Sequence, residues 1–246
     1  MKDIMKGIIL IITFFTRIPI KYEFEFSEKY FKKGIIFFPI VGLFIGIMMF
    51  LILRLSNYLD KSIVIFFTWI FYIWITGGIH LDGVADSFDG LFSNRKKERI
   101  LEIMKDSRIG TFGVIGLLIV LGFEILMSYY STYSVIIMPM VSRSVLIFIS
   151  SITTYAGKKD GLGNIFIDNC DLKKSIISFL MVILVAVFIN IKLIFAVIGT
   201  YIFSYMILKY IEKRINGITG DIAGLIIESS QGIYLFLSYI ILLGVN

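Results

Sequence analysis

Three aspartates, Asp82, Asp86 and Asp89, stand close together in the segment TGGIHLDGVADSFDG from Thr76 to Gly90. On a helix their spacing is i, i+4 and i+7, which projects all three carboxylates from one face. Val84, Ala85 and Phe88 make the opposite face apolar. Three like charges on one stripe repel, and at a membrane boundary that arrangement is costly unless a cation sits among them. Oxygen-only ligands of this kind suit Mg²⁺ or Mn²⁺ better than zinc. A magnesium ion held by few carboxylates keeps open positions for phosphate oxygens. The next segment, MKDSRIGTFG from Met104 to Gly113, supplies complementary charge. Within it, Lys105 and Arg108 can bind phosphate, Asp106 can add a metal ligand, and Gly110 and Gly113 permit close backbone approach. Arg95 and Arg99 lie just upstream, where anchoring at the membrane surface explains them as well as phosphate binding does. The chemistry indicated is metal-assisted work on a phosphate or diphosphate.

Asp221 and Glu228 form a second acidic pair, near the end of the chain, in GITGDIAGLIIE from Gly217. They are seven residues apart, two turns along one helix face, with Asp221 at the polar end. A carboxylate inside lipid is functional by default, although a hydrogen-bonded packing role also fits Glu228. Glu124 and Arg143 fall in or beside two apolar stretches, and an ion pair between them is at least as good a reading as a substrate role.

The elements that must position these groups are set by composition. The chain has 246 residues, 58% of them hydrophobic and only 17% charged, with mean hydropathy +0.91. That is too apolar for a soluble domain of this length. Seven stretches approach the length needed to cross about 30 Å of hydrocarbon as a helix: residues 35–53, 63–81, 110–130, 132–156, 176–191, 193–208 and 229–245. None alternates with period two, which excludes a barrel, and a lipid-embedded backbone must then pair within a helix. The fold class expected is all-α, a polytopic integral membrane helical bundle of about seven transmembrane helices in a single domain spanning 1–246. The segment from Gly7 to Ile20 is short and carries Arg17, and it reads as an interfacial or re-entrant helix.

Basic residues set the orientation. If the chain before Ile35 is cytoplasmic, all 24 lysines and arginines lie on that side except Arg54, Lys61, Lys192 and the intramembrane Arg143. The cytoplasmic connections then run from Asp82 to Arg108, from Gly157 to Lys174 and from Lys209 to Asp221, and function belongs there. This topology accounts for the net charge of +6, and no basic helix with interleaved aromatics indicates a nucleic-acid partner. With Cys170 the only cysteine and His80 the only histidine, a zinc site built on several such ligands is excluded.

The aspartate segment and the Met104 to Gly113 segment together resemble the signature of the cobalamin synthase family, adenosylcobinamide-GDP ribazoletransferases. Shorter matches follow in order: FTRIP from Phe15, FPIVG from Phe38, Ser142 with Arg143, Tyr155 with Ala156, GLG from Gly161, and the Gly217 to Gly224 segment followed by Glu228. The resemblance implies a Mg²⁺-dependent reaction at the cell membrane, with the active site on the cytoplasmic side. In it, alpha-ribazole, or its phosphate, attacks adenosylcobinamide-GDP to give adenosylcobalamin and GMP. It makes Asp82, Asp86, Asp89 and Asp106 metal ligands. Lys105 and Arg108 become phosphate clamps, with Arg95, Arg99, Gly110, Gly113 and Glu228 as further substrate contacts. Asp89 or Asp221 would take the proton of the attacking hydroxyl. Membrane lipid is the implied surrounding, and a homodimer is left open. Two other readings compete with this one. A CDP-alcohol phosphotransferase has a similar acidic motif, but Ala85 is followed by Asp86 where an arginine is expected. A cation transporter would place its carboxylates at the bilayer midplane, whereas these cluster at one end.

Overall fold

The computed structural model describes residues 2–157 and 161–243. Lys158 and Lys159, assigned above to the basic side, lie outside them. Twelve α-helices occur among the described residues, and the only β-type pairing there is a single bridge between Tyr155 and Ile218.

Helix α1 (Lys2–Phe15) is followed by α2 (Glu28–Gly34), a 3-10 turn and α3 (Phe38–Leu53). From Glu28 to Asn57 the chain is one continuous 30-residue helical segment, apolar from Ile35 to Leu53. Helix α4 (Lys61–Thr76) begins at Asp60, whose carboxylate accepts the Ser62 and Ile63 N–H groups, the usual remedy for unpaired amides at a helix start. Helix α5 (Ile79–Leu91) then turns 89° away from α4. The turn is made by Gly77 and Gly78, at φ +68° and +70°, a left-handed conformation that glycine adopts without penalty. Helix α6 (Lys97–Ile103) leads to α7 (Thr111–Tyr130), α8 (Met138–Ser151) and α9 (Leu162–Asp168), and then to α10 (Leu172–Ile189), α11 (Leu193–Ile215) and α12 (Gly220–Leu243).

Five of these segments are long and apolar enough to cross a membrane, and the bent α4–α5 pair makes a sixth. The protein is a multi-pass membrane helical bundle. The expected count of seven therefore needs correction on two points. The apolar run from Ile63 to Leu81 does not continue as one helix; it breaks at Gly77, and α5 lies across the end of the bundle instead of along it. The stretch near 132–156 forms a 3-10 turn, Thr132–Ile136, and only 14 residues of α-helix. The first helix, 14 residues long, is too short to span alone, as expected, and packs on α2.

Lipid-facing sides are visible as exposed apolar stripes. On α10, Leu172, Ile176, Leu180, Leu184 and Phe188 recur every four residues and are 58–81% exposed. In water such a stripe would be an aggregation surface; in hydrocarbon it is the solvated face. Helix α12 runs through the middle, packing against α5, α7, α8 and α11. Its crossing with α5 is a backbone contact. A Cβ on Gly83 would stand 2.6 Å from the Asp221 carbonyl oxygen, and one on Gly224 would stand 2.7 Å from that of His80.

Neither carbonyl belongs to a flexible side chain, so Gly83→Ala forces α5 and α12 apart. The expected cost is about 1–3 kcal/mol, seen as a lower unfolding temperature in detergent. Gly122→Ala, at an exposed helical position with nothing within 4 Å, leaves that temperature unchanged or raises it.

Candidate active site

The α5–α12 crossing brings acidic groups together. Asp82 and Asp86 lie on α5, and Asp221 lies in the first turn of α12. Thr219 caps that turn: its hydroxyl oxygen accepts the Ile222 N–H at 3.2 Å. The turn is further fixed by the bridge to Tyr155, in which the Ala156 N–H donates to the Ile218 carbonyl at 2.8 Å and the Ile218 N–H to that of Thr154 at 3.0 Å. Asp86, on the part of the chain that turns off the bundle axis, is half-buried. Its pKa rises to about 7, first through burial and then through Asp221, Asp82 and Asp89. Among the described residues no lysine or arginine forms an ion pair with any of these four carboxylates. The free cation nearest in effect is Lys105, which acts electrostatically on Asp221.

Asp89 has a different task. Its Oδ2 accepts the Gly110 N–H at 2.6 Å and its Oδ1 accepts the Gly113 N–H at 2.8 Å. It thus caps the start of α7 from a separate helix and sits at the positive end of that helix dipole. The glycines are required, since a Cβ on either would lie 2.5 Å from an Asp89 oxygen. The close backbone approach expected at Gly110 and Gly113 is made here to Asp89, which both N–H groups hold.

Asp106 and Arg108 are engaged with each other. Arg108 Nη2 donates to Asp106 Oδ2 at 2.6 Å and its Nε to Oδ1 at 3.0 Å. The Arg108 guanidinium beside it holds the Asp106 carboxyl down at about 2. A carboxylate clasped in this way is a poor additional metal ligand while the pair lasts. Asp89, Arg99, Asp106, Arg108 and Gly110 line a shallow cavity of about 150 Å³. Asp82 and Asp221 line another, of about 190 Å³, between α1, α5, α8, α9 and α12. Arg95 is exposed in the α5–α6 connection and lines neither cavity.

Glu228 does not join the site. It is fully buried two turns deeper, where its Oε1 accepts the Tyr72 hydroxyl at 2.7 Å and its Oε2 accepts the Gln231 amide at 2.9 Å. That amide also donates to Glu124 Oε1 at 3.0 Å. The ion pair expected between Glu124 and Arg143 does not form; Arg143 donates to the Pro139 carbonyl at 3.0 Å and lies over the Phe38 ring. Two residues near the site were missed from sequence. Arg17 is exposed beside the Gly77 turn, and its N–H donates to the Ile75 carbonyl at 2.7 Å. His80 lines the cavity of Asp82 and Asp221. The motif FTRIP was a signal for Arg17; a lone histidine gave none.

The donor chemistry fits an oxygen-coordinated divalent cation in part. Uncompensated carboxylates face one another, yet among the described residues no three acidic, histidine or cysteine side chains are close enough to encage a metal ion. Magnesium suits such an open arrangement, because it takes one or two carboxylates and fills its shell with water and phosphate oxygens.

With this geometry in place, comparison with known proteins is decisive about kinship. The model of the family described as cobalamin-5-phosphate synthase matches residues 7–239. The chain belongs to that family. It is 42% identical to the adenosylcobinamide-GDP ribazoletransferase of Alkaliphilus oremlandii, covering 96% of this chain and 98% of that one. It is 40% identical to the protein of the same name from Clostridium acetobutylicum, over 96% and 97% of the two chains. No solved structure matches the chain.

Uncompensated charge at Asp86 has a measurable sign. Its pKa is raised in the fold, so the stabilisation it gives is full below its unfolded value of 3.8 and lost as pH rises through about 7. Asp86→Asn, measured with a chelator present, is therefore expected to unfold at a higher temperature than the wild type at about pH 8, with the gap narrowing as pH falls below about 7 and closing below about pH 4.

Proposed function

We propose that this chain transfers alpha-ribazole onto adenosylcobinamide-GDP, giving adenosylcobalamin and GMP, with Mg²⁺ as cofactor. The observation that carries the reading is the uncompensated group of Asp82, Asp86 and Asp221 gathered by the α5–α12 crossing, in a chain of this family. A ribose hydroxyl of alpha-ribazole attacks the phosphorus that bears the cobinamide. A new P–O bond forms, the P–O bond of the diphosphate breaks, and GMP leaves with the bridging oxygen. Magnesium, when bound, offsets the phosphate charge.

The chain's own residues do the rest. Asp82 and Asp86 hold the cation from one helical face. Asp221, across from them, accepts the hydroxyl proton; Asp89 is less suited to that role, because both its oxygens already accept backbone N–H groups. Lys105 balances charge on the diphosphate, and Arg108 and Arg99 reach it from the neighbouring cavity once Arg108 exchanges Asp106, and Arg99 exchanges Glu102, for phosphate. The exchange is between equivalent bidentate partners and Arg108 is exposed, so it costs little. The basic residues around this end orient it toward the cytoplasm of the cell membrane.

The test is direct. Purified protein in lipid, supplied with adenosylcobinamide-GDP, alpha-ribazole and Mg²⁺, should release GMP, and a chelator should stop it. Asp82→Ala and Asp221→Asn are each expected to lower the rate by about 10²-fold or more while the protein remains folded. Absence of GMP from the wild type under these conditions would refute the transferase reading.

A further inference from the structure

The cavity beside Asp82 and Asp221 has walls that phosphoryl chemistry does not need. Phe14, Phe15, Phe166, Leu146, Ile167 and Ile227 surround a volume of about 190 Å³. The rings are arranged as a lining, with Phe15 and Phe166 edge to face at 5.6 Å and Phe15 tilted over His80 at 6.1 Å. His80 is only 5% exposed, and its Nε2 has no hydrogen-bond partner. A buried polar atom left unpaired costs about 1–3 kcal/mol, which a ligand able to pair with it would recover. So the cavity is lined by apolar and aromatic side chains, by His80 with its unpaired Nε2, and by the carboxylates of Asp82 and Asp221.

We propose that this cavity binds the planar base of the attacking nucleoside, with His80 Nε2 donating to the base's one free ring nitrogen. The proposal rests on the transferase reading above and adds to it the place and the recognition of one substrate. Size limits the choice: an apolar cavity of roughly 150 Å³ takes one benzene ring, so this one, at about 190 Å³ and open on one side, takes the leading ring of a flat base and no corrin. Polarity then chooses between the two bases of the reaction. Guanine carries a lactam N–H and C=O, an amino group and ring nitrogens; with Asp82 and Asp221 given to the cation and the proton, it would leave several of these unpaired among phenylalanines, at about 1–3 kcal/mol each. A benzimidazole joined to ribose through one nitrogen has a single acceptor left and apolar edges elsewhere. One acceptor meets one unmatched nitrogen, a donor in its Nε2–H tautomer. Because Asp221 lines the same cavity, a nucleoside whose base is inserted there carries its ribose to the carboxylate that takes the proton.

His80 is on this view a positioning residue, so its removal should affect one substrate and not the other. In lipid nanodiscs, His80→Ala is expected to raise the Kd and the KM for alpha-ribazole by about tenfold and to leave the KM for adenosylcobinamide-GDP unchanged. His80→Gln, whose amide can donate from a similar position, should recover most of the loss. Ala223→Phe fills the cavity from α12 and should abolish alpha-ribazole binding; it also guards against His80→Ala failing through misfolding. A structural role is separated by the ligand itself: the riboside of indole, which lacks the ring nitrogen, should bind the wild type about tenfold more weakly and lose nothing further in His80→Ala. If GMP is released normally while both variants keep alpha-ribazole affinity within about twofold, the base site is wrong and the transferase reading stands. A rise in the KM for adenosylcobinamide-GDP alone would put guanine in the cavity and likewise overturn the proposal. Tight, His80-dependent binding of alpha-ribazole without GMP release would refute the transferase reading and keep the site.

Discussion

Everything at this end of the molecule depends on two helix backbones touching. Gly83 and Gly224 let α5 and α12 cross with their main chains in contact, where any side chain at either position would meet a carbonyl oxygen first. That contact puts Asp82 and Asp221 in the lining of one cavity and brings Asp86 within electrostatic reach of both. In lipid there is no hydrophobic force to press helices together, so small residues that allow close van der Waals approach must do it. The same glycines that hold the helices together also bring like charges near one another, and the repulsion appears in the raised pKa of Asp86. Packing energy is thus held against electrostatic cost, a pattern expected where a cation and a polyanion are to be bound later.

Asp89 explains why the third member of the acidic stripe differs from the first two. Its two oxygens are committed to the start of α7, so the aspartate segment and the Met104 to Gly113 segment are joined by hydrogen bonds as well as by chain. Moving α5 then moves the loop with Lys105 and Arg108. Arg214 adds a second tie, donating from α11 to the Leu91 carbonyl at the end of α5 at 2.8 Å. Cationic and anionic halves of the site therefore keep a fixed relation before any substrate arrives, which lowers the ordering cost on binding.

How much of this could be read from sequence depended on the range of the interaction. Helical spacing put Asp82, Asp86 and Asp89 on one stripe, and α5 is helical across all three, because i, i+4 geometry is local. The division of labour along the stripe was not legible, since Asp89 is claimed by amides 21 and 24 residues away. Hydrophobicity found the membrane segments but ran straight through the bend at Gly77 and Gly78, because a hydropathy window sees composition and not φ. The paired glycines were the available signal. Arg108 looked free in sequence and is clasped by Asp106 two residues earlier, a contact that turn geometry creates and helical spacing does not anticipate. His80 was passed over for a related reason: whether its nitrogen is satisfied depends on α1, α8 and α12, none of which is near it in the chain.

Glu228 and Glu124 are intramembrane carboxylates for which the sequence offered both chemistry and packing, and the fold buries both away from the two cavities. Their carboxylates are joined through the Gln231 amide, and Tyr72 brings α4 into the same network. Trp69 extends it by donating to the Ser128 hydroxyl at 3.1 Å. Helices α4, α7 and α12 are therefore connected by directional bonds in a medium where apolar side chains discriminate poorly between one helix rotation and another. Rotation matters because Asp221 lies seven residues before Glu228 on α12: turning the helix at the network would swing Asp221 out of the cavity it shares with Asp82. The buried network thus serves the site from a distance by fixing the rotation of α12, a role in which the hydrogen bonds matter more than the charge. This explains how a carboxylate two turns below the surface can belong to the same motif as Asp221 without lining either cavity.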